Sequence, residues 1–160
     1  MPEALAADPG HSLSLTRDFA ASPQRLWRAW TDPAVLVKWL GPHDWPAVEA
    51  SNDLRVGGAW RACLRSPVSG EELWQSGRYL RLDPPERLEF TFLWEGDNHE
   101  DGPGVETRIT VRLEALSEKH TRMHMVQSGL VSPQSAAGHT GGWSQTFDRL
   151  QTLIDEGGNP

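Results

Sequence analysis

The chain has 160 residues, 38% of them apolar, and a formal net charge of −7 at pH 7. This length suits one domain with one core, and the acidic balance disfavours a nucleic-acid backbone or an anionic membrane as a partner. No apolar run approaches the roughly 18 residues that cross a bilayer, so we expect no membrane insertion. The start of the chain lacks a basic, then apolar, leader pattern, and its lone Cys63 fits a reducing compartment, so we expect a cytoplasmic location.

The chain divides into a single domain with short tails. Residues 1–11 contain prolines and glycine without periodicity, which predicts a mobile N-terminal tail. The domain is expected to span 12–156, with a C-terminal tail at 157–160.

The first predicted elements are one strand and two short helices. Apolar and polar residues alternate over 13–19, which predicts a half-buried strand, and Arg17 falls on its apolar side. Ser22 and Asp32 each precede a proline. This pattern is typical of a helix start, so we expect two consecutive short helices that end before residue 41.

A run of strands separated by turns follows. Proline and glycine clusters bound each alternating segment, which favours antiparallel pairing. The predicted strands cover 47–55, 59–66, 73–82, 87–94, 105–114 and 121–129.

The last predicted element is a long amphipathic helix at 133–156. Its apolar positions recur at spacings of three, four and seven residues. Gly138, Gly141 and Gly142 oppose helix formation by about 1 kcal/mol each. We therefore expect a lid over a cavity, with another group approaching the glycine backbone closely. The alternative is a helix that begins only near Gly142.

Several short motifs in a fixed order resemble one known family. They are Ala21-Ser22-Pro23 with Leu26-Trp27, Thr31-Asp32-Pro33, Trp39 with Gly41-Pro42, Asp53-Leu54-Arg55-Val56-Gly57-Gly58 with Trp60, Pro84-Pro85-Glu86-Arg87-Leu88, and His139 with Gly142-Trp143, Asp148 and Leu150. Together they make the chain similar, over residues 12–156, to the bacterial relatives of the heat-shock-protein-90 ATPase activator homologue (AHSA-type), within the START-like (SRPBCC) superfamily.

This resemblance implies an α+β helix-grip fold. A curved antiparallel sheet of six or seven strands would wrap around the C-terminal helix, with two short helices after the first strand and an apolar cavity between sheet and helix. The chain departs from its relatives at Leu40, where a second tryptophan is frequent, and at Gln127, where a histidine is frequent. The polarity of the cavity therefore cannot be copied from them, and the fold does not fix the function.

Motifs for catalysis or metal binding are missing from the sequence. The six histidines lack metal-ligand spacing, and there is no nucleophile elbow, phosphate loop or dinucleotide fingerprint. We predict no catalytic residue, no metal and no cofactor. Cys63 is interpreted as inert, although Arg61 and Arg65 could lower its pKa if all three share a strand face.

The inward-facing aromatic and methionine residues predict a ligand site instead. Eight tryptophans are difficult to bury in one small core, so some should line a pocket. The predicted ligand-binding residues are Arg17, Trp60, Tyr79, Phe90, Phe92, Trp94, Met123, Met125, Gln127, His139, Trp143 and Phe147.

The leading hypothesis is a module that binds a small, mostly apolar molecule without catalysis. One alternative is a cyclase, dehydratase or hydrolase that uses His139 or Tyr79 as acid or base. Another, by family analogy, is a chaperone-interacting protein. It is disfavoured because the chain lacks the additional domain of the eukaryotic activators. A homodimer is compatible with an exposed sheet edge.

Overall fold

The elements follow one another in the predicted order in a computed structural model that describes residues 11–96 and 105–157. Within those ranges they are β1 (His11–Phe19), α1 (Pro23–Thr31), α2 (Pro33–Trp39), β2 (Ala47–Asn52), β3 (Ala59–Arg65), β4 (Glu72–Asp83), β5 (Arg87–Trp94), β6 (Thr107–Ser117), β7 (His120–Leu130) and α3 (Pro133–Asp155). Of the predicted N-terminal tail only His11 is described, as the first residue of β1. Residues 97–104 and 158–160, which belong to a predicted loop and the predicted C-terminal tail, lie outside the described ranges.

The strands form one curved antiparallel sheet in the order β1-β7-β6-β5-β4-β3-β2. The two short helices follow the first strand, and α3 lies across the inner face of the sheet. This is the helix-grip arrangement, so the predicted α+β fold is confirmed. No helix in the described part of the chain is both long enough and apolar enough to span a membrane.

Each helix begins at a capped residue that is followed by proline. The side chains of Ser22, Asp32 and Ser132 accept hydrogen bonds from backbone N–H groups of the first helical turn. Such caps satisfy donors that have no partner within the helix, and proline suits the first helical position because it has no N–H. Because α3 starts at Pro133, the alternative of a helix that begins near Gly142 is wrong.

α3 lies nearer to one side of the sheet than to the other. It packs closely against β1, β7 and α2, and has no comparably close approach to β3, β4 or β5. The buried side chains Trp143, Phe147, Leu150 and Ile154 form its inner stripe. The space between α3 and the β3–β5 half of the sheet must therefore be filled by long side chains or remain open.

Arg149 fixes α3 to the end of α2. Its guanidinium donates hydrogen bonds to the carbonyl oxygens of Lys38 at 3.1 Å, Trp39 at 3.2 Å, Leu40 at 2.7 Å and Gly41 at 3.0 Å. Burial lowers the pKa of Arg149, but a guanidinium remains charged at neutral pH. A cation at this position supplies donors to carbonyls near the end of the helix and interacts favourably with the helix dipole. Arg149 thereby holds the segment after α2 in place.

Replacing Arg149 with Met should destabilise the protein by about 2 kcal/mol, because several carbonyls lose a charged donor. The free energy of unfolding can be measured by urea denaturation. Arg55→Met is the matched control, since the Arg55 side chain is 72% exposed and, among the residues that the structure describes, pairs only with Asp53, two positions away. We expect the control to change stability by less than about 0.5 kcal/mol. Equal effects of the two substitutions would contradict the role of Arg149.

Candidate functional site

A cavity of about 310 Å³ lies under the first half of α3. Its other walls come from β3, β4 and β5 and from the segment that connects α2 to β2. The lining residues are Ser135, Gly138, His139, Gly142, Trp143 and Thr146 from α3, Leu64, Leu73, Gln75, Phe92 and Trp94 from the sheet, and Leu40, Gly41, Pro42 and Trp45 from the connection. The walls are therefore mainly aromatic and aliphatic, with few polar side chains.

A second, much smaller void of about 20 Å³ lies deeper in the core. It is bordered by Trp60, Tyr79 and Phe90, and it shares Leu40, Gln75 and Trp143 with the main cavity. A space of this size holds about one water molecule. Gln75 thus lies between the main cavity and a space for about one water molecule.

Four of the predicted site residues line the main cavity, namely Phe92, Trp94, His139 and Trp143. Three more, Trp60, Tyr79 and Phe90, border only the small void. The inner-face positions of the strands were predictable from their alternation, so these residues point to the side of the sheet that we expected.

Five predicted site residues border neither space. Arg17 donates to the Asp148 carboxylate at 2.7 Å, because β1 lies directly beside α3. The other four are core residues: Met123, Met125, Gln127 and Phe147 are at most 1% exposed. The space between α3 and β7 is filled by these side chains, so the opening lies on the opposite side of the helix.

The glycines of α3 face open space. A Cβ atom built on Gly138, Gly141 or Gly142 would meet no other heavy atom within 4 Å, outside its immediate helical surroundings. The prediction of a group close to the glycine backbone is therefore wrong. Gly138 and Gly142 border the cavity, whereas Gly141 does not. At the first two positions, the missing side chains add to the volume of the cavity.

A chain of buried hydrogen bonds connects α3 to three strands. The Trp143 indole N–H donates to Gln127 Oε1 at 2.9 Å, and Gln127 Nε2 donates to Thr107 Oγ1 at 2.9 Å. The Thr107 hydroxyl in turn donates to the Phe92 carbonyl oxygen at 3.1 Å. Both ends of the Gln127 amide are thus occupied within the protein, which gives this residue a structural role.

His139 is held in one neutral tautomer by two partners. The Trp94 indole can only donate, so Nε2 of His139 must accept its N–H, at 3.2 Å. The Ser135 carbonyl can only accept, so Nδ1 carries the proton that it receives, at 2.9 Å. In this arrangement neither ring nitrogen has a free lone pair to abstract a proton from a ligand.

Tyr79, the other candidate acid or base, lies away from the main cavity. Burial raises the pKa of Tyr79, although its hydroxyl accepts a hydrogen bond from Asn52 Nδ2 at 3.0 Å. At neutral pH the side chain is therefore a neutral phenol beside the small void. Within the described ranges, no contact of Tyr79 or His139 favours the enzymatic alternative.

Gln75 is the one polar side chain on the cavity wall that is both buried and unpartnered within the described residues. It is 3% exposed, and its amide makes no hydrogen bond to any of them. The other polar wall residues, Ser135, His139 and Thr146, all have partners. The Trp45 indole also donates to none of the described residues, but Trp45 is partly exposed to water. A buried polar group without a partner costs about 1–3 kcal/mol, so Gln75 needs an explanation.

Cys63 and the acidic groups form no alternative reactive centre in the described ranges. Burial raises the pKa of the Cys63 thiol, which agrees with its interpretation as inert. The neighbouring Arg61 and Arg65 bind the carboxylates of Glu95 and Glu72. In the same part of the chain, no three His, Cys, Asp or Glu side chains lie close enough together to hold a metal ion.

Replacing Gln127 with the similarly shaped Met should destabilise the protein by about 1–3 kcal/mol, because the buried Trp143 N–H loses its acceptor. Urea denaturation measures the change. Val126→Ala is a control on the same strand, since Val126 is 41% exposed on the outer face. We expect its effect to be clearly smaller. If Gln127→Met matched the stability of the native chain, the hydrogen-bond chain would not be structurally important.

Comparisons with known proteins agree with this architecture. The family described as "Activator of Hsp90 ATPase homolog 1-like protein" matches residues 20–155. Protein CV1439 from Chromobacterium violaceum is 30% identical, with 89% of this chain and 96% of that chain covered and a TM-score of 0.73. A protein from Arthrobacter aurescens, solved by NMR, is 28% identical, with 91% and 86% covered and a TM-score of 0.79.

A third structure, protein NE0264 from Nitrosomonas europaea, is 26% identical, with 91% of this chain and 94% of that chain covered and a TM-score of 0.74. No protein with a curated description matches the chain. In each of the three solved structures, the similarity extends over nearly the whole domain.

Proposed function

This chain belongs to the family of activator of Hsp90 ATPase homolog 1-like proteins, and on that basis we propose that it binds a small, neutral, mostly apolar molecule in the cavity under α3. Family membership and the helix-grip fold are compatible with a ligand-binding or a chaperone-associated role. The observation that favours the first is the cavity of about 310 Å³. No specific contact in the described residues favours the second.

The size of the cavity suits a ligand of about two fused rings. An apolar cavity of about 150 Å³ can admit benzene, and ordinary ligand pockets begin near 300 Å³. The cavity here, at about 310 Å³, lies at the lower end of that range. Phe92, Trp94 and Trp143 supply flat apolar surfaces against which rings can pack.

The composition of the wall favours a neutral ligand. Among the described residues, the lining contains no Asp, Glu, Lys or Arg, and its only ionisable side chain there is His139, whose two nitrogens are already bonded. A charged ligand would lose its hydration without gaining an ion-pair partner, at a cost of several kcal/mol. The same lack of ionisable groups supports binding without catalysis.

The glycines of α3 provide a matched test with 2-fluoronaphthalene as the probe, titrated by ligand-observed fluorine NMR. Gly142→Ala places a methyl group into the cavity, whereas Gly141→Ala places one outside it. Each substitution should raise stability by about 0.5–1 kcal/mol, because alanine is the better helix former. We expect Gly142→Ala alone to weaken binding, by about fivefold, which corresponds to about 1 kcal/mol.

Gly141→Ala controls for the general effect of a stiffer helix. If the native chain failed to bind the probe up to its solubility limit, the proposal would be refuted. Equal affinities of the two variants would show that the probe binds elsewhere.

A further inference from the structure

We propose that Gln75 is the polar anchor of this cavity and selects a flat, neutral ligand that carries a hydrogen-bond donor and an acceptor side by side on one edge. Lactams, aromatic amides and amino-substituted nitrogen heterocycles share this feature. The inference rests on the proposed function, because it names the chemical class of the ligand for the same cavity.

The first argument is the position of Gln75 in the sheet. It lies in the first half of β4, directly opposite Ala62 of β3 and Trp94 of β5. Residues opposite each other in an antiparallel pair share a face of the sheet. Gln75 therefore stands between the methyl group of Ala62 and the Trp94 ring, on the face that borders the cavity.

The second argument is the missing partner. A glutamine amide has two donors and two acceptor lone pairs, and nearly all buried polar groups in native proteins use some of them. The Gln75 amide makes no hydrogen bond to the described residues, although the residue is buried, with only 3% of its surface exposed. Gln127, which is 0% exposed, has both ends of its amide occupied. The contrast indicates that the partner of Gln75 is a molecule from outside the chain.

The third argument is the chemistry that such an amide recognises. Its C=O and N–H lie in one plane, so they can pair with an adjacent donor and acceptor, as glutamine does on the edge of adenine. The aromatic walls at Phe92, Trp94 and Trp143 favour a flat ring system in the same cavity. His139 offers no competing polar contact, because Ser135 and Trp94 occupy both of its nitrogens.

The test uses three unlabelled competitors that displace 2-fluoronaphthalene. Naphthalene lacks polar groups, quinolin-2-one carries the adjacent donor and acceptor, and its N-methyl derivative lacks the donor. In Gln75→Met the affinity for quinolin-2-one should fall by about tenfold or more, since two hydrogen bonds are lost. The affinity for naphthalene should stay the same or rise. The N-methyl derivative should respond less than quinolin-2-one to the substitution.

Tyr79→Phe is the control for a polar group near the cavity but outside it. Tyr79 borders only the small void, and its hydroxyl proton has no acceptor in the described residues. We expect this variant to keep the native affinity for quinolin-2-one. An equal loss in both variants would assign the effect to a water in the void and overturn the anchor role of Gln75.

Thermal unfolding without ligand provides a second readout. Gln75→Met removes an unpartnered amide, so its melting temperature should equal or exceed that of the native chain, whereas Gln127→Met should lower it. A clear decrease for Gln75→Met would mean that the fold itself satisfies the amide, which overturns the inference. If Gln75→Met changed the affinities of naphthalene and quinolin-2-one alike, the inference would fail while the proposed function stood. If no compound bound the native chain, both would fail.

Discussion

The cavity depends on how α3 is held at a fixed distance from the sheet. Three sets of contacts help to set that distance: Trp143 with Gln127 at 2.9 Å, His139 with Trp94 at 3.2 Å, and Arg149 with the carbonyls that end α2. Each joins α3 to a different part of the molecule. The helix therefore cannot move toward β3–β5 to close the gap without breaking at least one of these hydrogen bonds. Protein interiors normally remove such gaps by close packing, and here these contacts oppose it.

The first half of α3 is helical despite its glycines because several local effects act together. Each glycine costs about 1 kcal/mol, while a cap such as Ser132 contributes about the same amount. The His139 bond to Trp94 fixes the middle of this half, and the buried Trp143 begins the apolar stripe that anchors the second half. Once that second half is packed, each additional turn forms on an existing nucleus and needs little further stabilisation.

The sequence predicted the fold more completely than the site, for a physical reason. Strand alternation and helix periodicity are local, so the inward position of Phe92 could be assigned correctly. The side of α3 that remains open depends on which long side chains fill the other side, as Met123 and Phe147 do. Gln75 and Gln127 look alike in sequence, each on the inner face of a strand. Their difference depends on partners 16 and 20 positions from Gln127, which periodicity does not show.

Features that weaken the free protein coincide with the cavity. Gly138 and Gly142 lower helix propensity, and Gln75 buries an amide without a partner in the described residues, yet all three border the same space. Residues that lower the stability of the free protein are expected where a protein maintains a functional site. Gly141 is exposed, and nothing in the structure explains it. A ligand that fills the cavity would supply contacts that the glycines lack and the hydrogen bonds that Gln75 lacks. Binding would then add to stability by about 2.7 kcal/mol at a hundredfold excess over its Kd, and folding and occupancy of this site would be thermodynamically coupled.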